Sequence, residues 1–174
     1  GLMAALFEET GRYIAMRFLV KPMDFPNAFM YGAGHGGVEA MLLCGVASIS
    51  NIASAVMINS GTMSAQLATL DAEKAADTAA ALSALWTTPS LTFFAGGVER
   101  IIAVVLHLSL SILVFQSIRK KSQKDLLNAY LFHFVIDSLS VLLSAVASVW
   151  VVELVVALVT GGAVLMAKYA CMEE

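Results

Sequence analysis

The chain has 174 residues, 59% hydrophobic and 13% charged, with a net charge of -3 and a mean hydropathy of +0.83. Soluble domains are roughly half apolar and about a quarter charged, so a water-soluble globule is excluded. Without a large basic block the chain cannot neutralise a phosphate backbone, so no nucleic-acid partner is expected. The expected class is all-α, a polytopic transmembrane helical bundle in the lipid bilayer, forming one domain over residues 1–174.

A membrane-crossing helix needs about 20 mostly apolar residues. Five stretches qualify in chain order: Leu2 to Val20, Ala28 to Ile58, Gly97 to Ile118, Leu127 to Val149 and Val151 to Lys168. The second exceeds the bilayer thickness, so it tilts, breaks or emerges on one side. Between it and the third, Asn59 to Gly96 carries Asp71, Glu73, Lys74 and Asp77 on an Ala/Leu run closed by Pro89. This pattern predicts an amphipathic helix on the outer surface, with Leu67, Leu70, Leu82 and Leu85 on its buried side. The last two spans are separated by almost nothing, and their boundary is expected near Trp150 and Glu153. Strict alternation places Arg17, Lys21, Arg119, Lys120, Lys121, Lys124 and Lys168 on one side and only Lys74 and Arg100 on the other. The basic loops are therefore expected in the cytoplasm, and the protein in a prokaryotic plasma membrane. Cys44 and Cys171 have no ligand spacing and read as packing residues. The chain opens apolar at Gly1 with no basic region or cleavage site, so a trimmed piece is expected rather than a signal peptide.

Ionisable residues inside spans are costly and need partners or a watery cavity. Here they recur at helical spacing: Glu8 and Arg12, His35 and Glu39, and His133 and Asp137 are four apart, while Arg100 and His107 are seven apart. Each pair shares a helix face. With a rise of about 1.5 Å per residue, Glu9 lies roughly 18 Å from Lys21, and His35 and Glu39 roughly 12 and 18 Å from Asn27. His107 lies roughly 20 Å from Lys120, and His133 and Asp137 roughly 14 and 20 Å from Lys124. Four helices therefore bring carboxylates and imidazoles to one layer, whereas Glu99 and Arg100 fall nearer the outer interface. Of Glu8 and Glu9, about 100° apart on a helix, one faces this site and the other pairs with Arg12. Gly32, Gly34, Gly36 and Gly37 are expected to let backbones approach beside His35. They also spell G-x-G-x-x-G, which carries no dinucleotide meaning outside a strand-to-helix turn. Ser48, Ser50, Ser54, Ser109 and Ser111 are expected to bond to helix carbonyls.

Such a set suits hydrolysis, with a carboxylate taking a proton from water and imidazoles holding an oxyanion. No cofactor is required by the residues. A divalent metal is compatible with them, held by His35, Glu39, His107, His133 or Asp137, although no H-E-x-x-H specifies zinc. The plain alternative is a structural polar network that fixes helix register.

"EETGRY" at Glu8 to Tyr13, "GAGHGGVE" at Gly32 to Glu39, "ERIIAVVLH" at Glu99 to His107 and "HFVID" at His133 to Asp137 occur in an order and spacing that resemble the YhfC-type membrane peptidases. That family is similar to the CAAX-processing and bacteriocin-immunity proteases and to the PrsW proteases, which are glutamate-dependent intramembrane peptidases. The resemblance implies that Glu8 activates water, supported by Glu9 and Arg12. It also implies that His107, His133 and Asp137 bind water and stabilise the oxyanion, with His35 and Glu39 in less defined roles and Glu99 and Arg100 as support. Asp137 stands where the CAAX enzymes carry asparagine, which adds a negative charge and favours a metal. Family members usually have further helices before the double glutamate, so N-terminal helices are expected to be missing here. The implied activity is cleavage of a membrane-associated protein substrate. The rival readings are a transporter or metal-binding membrane protein built on the same cluster, and a non-catalytic scaffold.

Overall fold

The computed structural model describes residues 1–173. Among them the chain forms eight α-helices and no strand. Helix α1 (Leu2–Ile14) continues through a π turn (Ala15–Leu19). Its buried residues Ala5, Glu9, Arg12 and Met16 recur every three or four positions, and together they form one inward stripe. Helix α2 (Phe25–Ala40) starts with the Asp24 carboxylate accepting from the Asn27 amide at 2.9 Å and with Pro26 in its first turn. A π turn at Met41–Gly45 joins it to α3 (Val46–Asn59).

Four helical stretches are long and apolar enough to cross a membrane: Phe25–Asn59, α6 (Ser90–Lys120), α7 (Gln123–Ser144) and α8 (Val149–Met172). The expected first span is helical as anticipated. Glu8, Glu9, Arg12 and Arg17 make it the most charged of the five, which sets it apart from these four. The break between the last two spans lies at Ala145–Ser148 rather than near Trp150 and Glu153, because both of those residues continue α8. Helicity also persists through Gly32–Gly37, and the irregularity falls one turn later, at Met41–Gly45.

The expected outer helix is two pieces, α4 (Thr62–Leu67) and α5 (Ala72–Thr87). Asp71 caps α5, accepting from the Lys74 amide and pairing with the Lys74 ammonium, which holds its carboxyl below the usual range. Leu67, Leu82 and Leu85 are only half-buried and Leu70 is exposed, because this side faces α3 and α4 rather than the main bundle.

Helix α6 is the hub, in contact with α1, α2, α7 and α8. Leu106, Leu110, Leu113, Val114 and Phe115 form the core with Ala129, Ile136, Val156, Ala163 and Ala167 from α7 and α8. Helix α2 approaches α6 through Ala28, Gly32 and Gly36, a stripe of small residues at intervals of four. A Cβ at Gly32 would stand 2.8 Å from Leu108 Cα, and one at Gly36 would stand 3.0 Å from Val104 Cα. Gly34 and Gly37, expected to serve the same role, have nothing within 4 Å of that position. The close approach therefore belongs to Gly32 and Gly36 alone.

Candidate active site

The packing of α1, α2 and α7 around α6 encloses a cavity of about 370 Å³, lined by Glu8, Glu39, Glu99, Arg100, His107, His133, Asp137 and Ser140 among others. The one-layer expectation holds: α1 supplies Glu8, α2 Glu39, α6 His107 and α7 both His133 and Asp137. The His35 and His107 rings stack with centroids 4.7 Å apart, and His107 meets His133 edge-on at 5.7 Å.

Glu8 and Glu9 divide as their helical angle requires. Glu8 faces the cavity with its side chain 34% exposed, hydrogen-bonded to His35 Nε2 at 3.1 Å and 3.8 Å from His133 Nε2. Glu9 is fully buried, 3.1 Å from Arg12 Nε. The spacing of four between Glu8 and Arg12 is therefore not the pair that forms. Arg12 turns with Glu9 into the core, which leaves Glu8 to the cavity.

Arg12 is also fully buried and works as a fork. Nη1 donates to the His107 carbonyl at 2.8 Å and to Ser111 Oγ at 2.6 Å, and Nη2 donates to His107 Nδ1 at 2.8 Å. A guanidinium has no acceptor, so His107 Nδ1 must accept. Neutral His107 then carries its proton on Nε2, which faces the cavity. His133 has the opposite arrangement, with Nδ1 donating to the Glu9 carboxylate at 2.7 Å. Neutral His133 therefore presents a lone pair on Nε2, 3.8 Å from Glu8 and 3.6 Å from Asp137. The buried Glu9–Arg12 pair thus makes one imidazole a donor toward the cavity and the other an acceptor.

Glu99 and Arg100 depart from the expected geography, because both line the cavity. Arg100 Nη1 approaches Glu39 Oε1 at 3.6 Å and also pairs with Glu99, so this arginine belongs to the cavity rather than to the outer interface alone. Ser109 donates to the Val105 carbonyl as expected, but Ser111 accepts from Arg12. Its position four residues after His107 was the available signal, since that spacing puts both on one face. Ser140 lines the cavity and was not anticipated.

The model of the YhfC intramembrane metalloprotease family matches residues 1–156. The chain belongs to this family. It is 38% identical over 161 residues to the uncharacterized membrane protein YhfC of Bacillus subtilis (strain 168), a match covering 91% of this chain and 62% of that protein. The chain thus spans less than two thirds of the length of this curated YhfC relative. No solved structure matches. The YhfC match contains every cavity residue named above.

The family description implies a metal, and the donors can be tested for it. Glu8, His35, Glu39 and His107 each offer one ligand atom, all within 4.8 Å of one another. Glu39 Oε2 is buried without a hydrogen bond of good geometry, although His107 Nε2 stands 2.6 Å away. A buried carboxylate oxygen in that position suits a cation, and imidazole with carboxylate is an ordinary zinc set. The residues therefore fit. Of the donors expected from sequence, His35, Glu39 and His107 fall in this group, whereas His133 and Asp137 do not; Glu8 joins it instead.

Proposed function

We propose that this chain carries the catalytic centre of an intramembrane peptidase that hydrolyses peptide bonds of membrane-associated proteins, with Glu8 as the general base. The observation that carries the reading is the meeting of Glu8, Glu39, His107, His133 and Asp137 around one cavity among membrane-length helices. Membership of the YhfC family independently supports the intramembrane peptidase part of the reading.

Glu8 suits the base role because its carboxylate faces the cavity and is free of the arginine that neutralises Glu9. It accepts a proton as the water oxygen adds to the peptide carbonyl. The Nε2–H of His107 donates to the developing oxyanion, held in that tautomer by Arg12. The Nε2 of His133 lies beside Glu8 and accepts the proton in transit. When the C–N bond breaks, that proton passes to the leaving amine, so water is divided between the two products. Asp137 steadies the protonated form of His133 across 3.6 Å. His35, Glu39 and His107 would hold a divalent metal, with Glu8 beside them, and when bound it supplies Lewis-acid polarisation. His107 can join such a set only by giving up the hydrogen bond from Arg12 to Nδ1, so Arg12 sets whether this ring is a donor or a ligand.

The test uses the full-length protein purified in detergent, wild type against Glu8→Gln, with cleavage of a mixed set of membrane proteins and metal content measured on the same samples. Cleavage lost with Glu8→Gln supports the reading. Folded wild type that binds metal and cleaves nothing would favour a metal-binding or transport role. Absence of both would favour a scaffold.

A further inference from the structure

A second cavity, of about 740 Å³, opens between the end of α1 and the α6–α7 turn. Three of its lining residues are cations, Arg17, Lys121 and Lys124, and among the described residues none of the three makes a side-chain ion pair or hydrogen bond. No carboxylate among the described residues lines it: Asp125, in the first turn of α7, is buried and does not border the cavity. The remaining wall combines Tyr13 and Tyr130 with Ile118, Leu126 and Leu127. The lining therefore combines three cations with apolar and aromatic side chains.

Two backbone features adjoin these cations. Lys121 closes α6 at φ 54°, the left-handed region that a glycine occupies without strain. A lysine thus stands where a glycine would be unstrained, and it borders the cavity. Directly after it, α7 begins at Ser122 with no side chain capping its amides, and Ser122, Gln123 and Lys124 all line the same space. Arg17, Lys121 and Lys124 lie at or just beyond the ends of apolar helices, where juxtamembrane cations attract anionic headgroups.

We infer that this cavity binds the phosphate of an anionic phospholipid headgroup, with Arg17, Lys121 and Lys124 on the phosphate and the acyl chains descending along Ile118, Leu126 and Leu127. Free phosphate shares the charge but cannot use the apolar wall. The site is separate from the catalytic cavity, and the inference does not depend on peptidase activity.

The experiment compares full-length wild type with Lys121→Gly and with Arg17→Gln/Lys124→Gln after delipidation. Binding is measured to nanodiscs of phosphatidylcholine containing a trace of fluorescent phosphatidylglycerol, with unlabelled phosphatidylglycerol or inorganic phosphate as competitor. Removal of each cation is expected to weaken phosphatidylglycerol binding about fivefold, with phosphatidylcholine unaffected. Lys121→Gly also relieves the left-handed strain, so it folds at least as well as wild type and separates lost binding from lost structure. Competition by phosphatidylglycerol but not by millimolar inorganic phosphate identifies a lipid site; equal competition by phosphate overturns the lipid assignment. Unchanged binding by Lys121→Gly and by the double variant overturns the site itself.

Discussion

Arg12 holds His107 at both ends, with Nη2 on the ring Nδ1 and Nη1 on the backbone carbonyl, each at 2.8 Å. The same guanidinium neutralises Glu9, which in turn fixes His133. One buried ion pair therefore positions both imidazoles, and its loss affects two helices at once.

Arg12→Gln leaves the Glu9 carboxylate buried without its cation. Removing one member of a buried pair costs about 3–5 kcal/mol, so thermal unfolding in detergent should fall markedly. Arg12→Lys keeps a charge for Glu9 but cannot reproduce the fork on His107. We expect a folded protein with impaired cleavage and, because His107 Nδ1 is released, tighter zinc binding by calorimetry. Zinc binding equal to or weaker than wild type would show that Arg12 does not control this ring.

Glu8 and Glu9 should separate experimentally. Glu8→Gln retains the fold, since this side chain is one-third exposed, and lowers turnover by roughly 10²–10⁴-fold, as expected for loss of a general base. Glu9→Gln removes the partner of both Arg12 and His133 and is expected to reduce stability as well as turnover. Comparing unfolding temperature with initial cleavage rate for the two variants distinguishes base from support.

Gly32 and Gly34 form a matched pair of controls for helix packing. Gly32→Ala drives a Cβ to within 2.8 Å of the α6 backbone and should destabilise by about 1–3 kcal/mol. Gly34→Ala meets nothing within 4 Å and should be neutral or stabilising by up to about 1 kcal/mol through helix propensity. Equal unfolding midpoints for the two would contradict the α2–α6 contact.

The metal donors also predict a pattern. Zinc titration of the purified protein should show one strong site that weakens in His35→Ala and in Glu39→Gln. Asp137→Asn should leave that affinity nearly unchanged, because Asp137 lies outside the converging set.

Much of this arrangement was legible from residue spacing. Intervals of four and seven put His35 with Glu39 and Arg100 with His107 on common faces, and distances from the basic ends brought His35, Glu39, His107, His133 and Asp137 to one layer but left Arg100 outside it. Spacing cannot say which of two permitted partners an arginine takes: it required only that one of Glu8 and Glu9 face the site and the other pair with Arg12, and Glu9 is the one that pairs. It also cannot report helix proximity, which is why all four glycines looked equivalent although only Gly32 and Gly36 touch α6. The outer segment misled for a related reason: leucines at helical intervals report a nonpolar side but not whether a bundle lies beneath it. The tautomers of His107 and His133 depend on contacts 95 and 124 residues apart in sequence and have no local signature.

The order of the chain gives the Arg12 fork a consequence for biogenesis. Helix α1, carrying Glu9 and Arg12, leaves the ribosome before their outside partners on α6 and α7, which follow about a hundred residues later. Until then α1 enters lipid with only the internal Glu9–Arg12 pair to offset ionisable groups that cost about 2.5–3.5 kcal/mol each at mid-bilayer. Its stable insertion is therefore a late event, completed when α6 and α7 arrive. In a nascent chain truncated before α6, a cysteine replacing the buried Ala5 of α1 should be labelled by a membrane-impermeant thiol reagent, whereas in the full chain it should be protected.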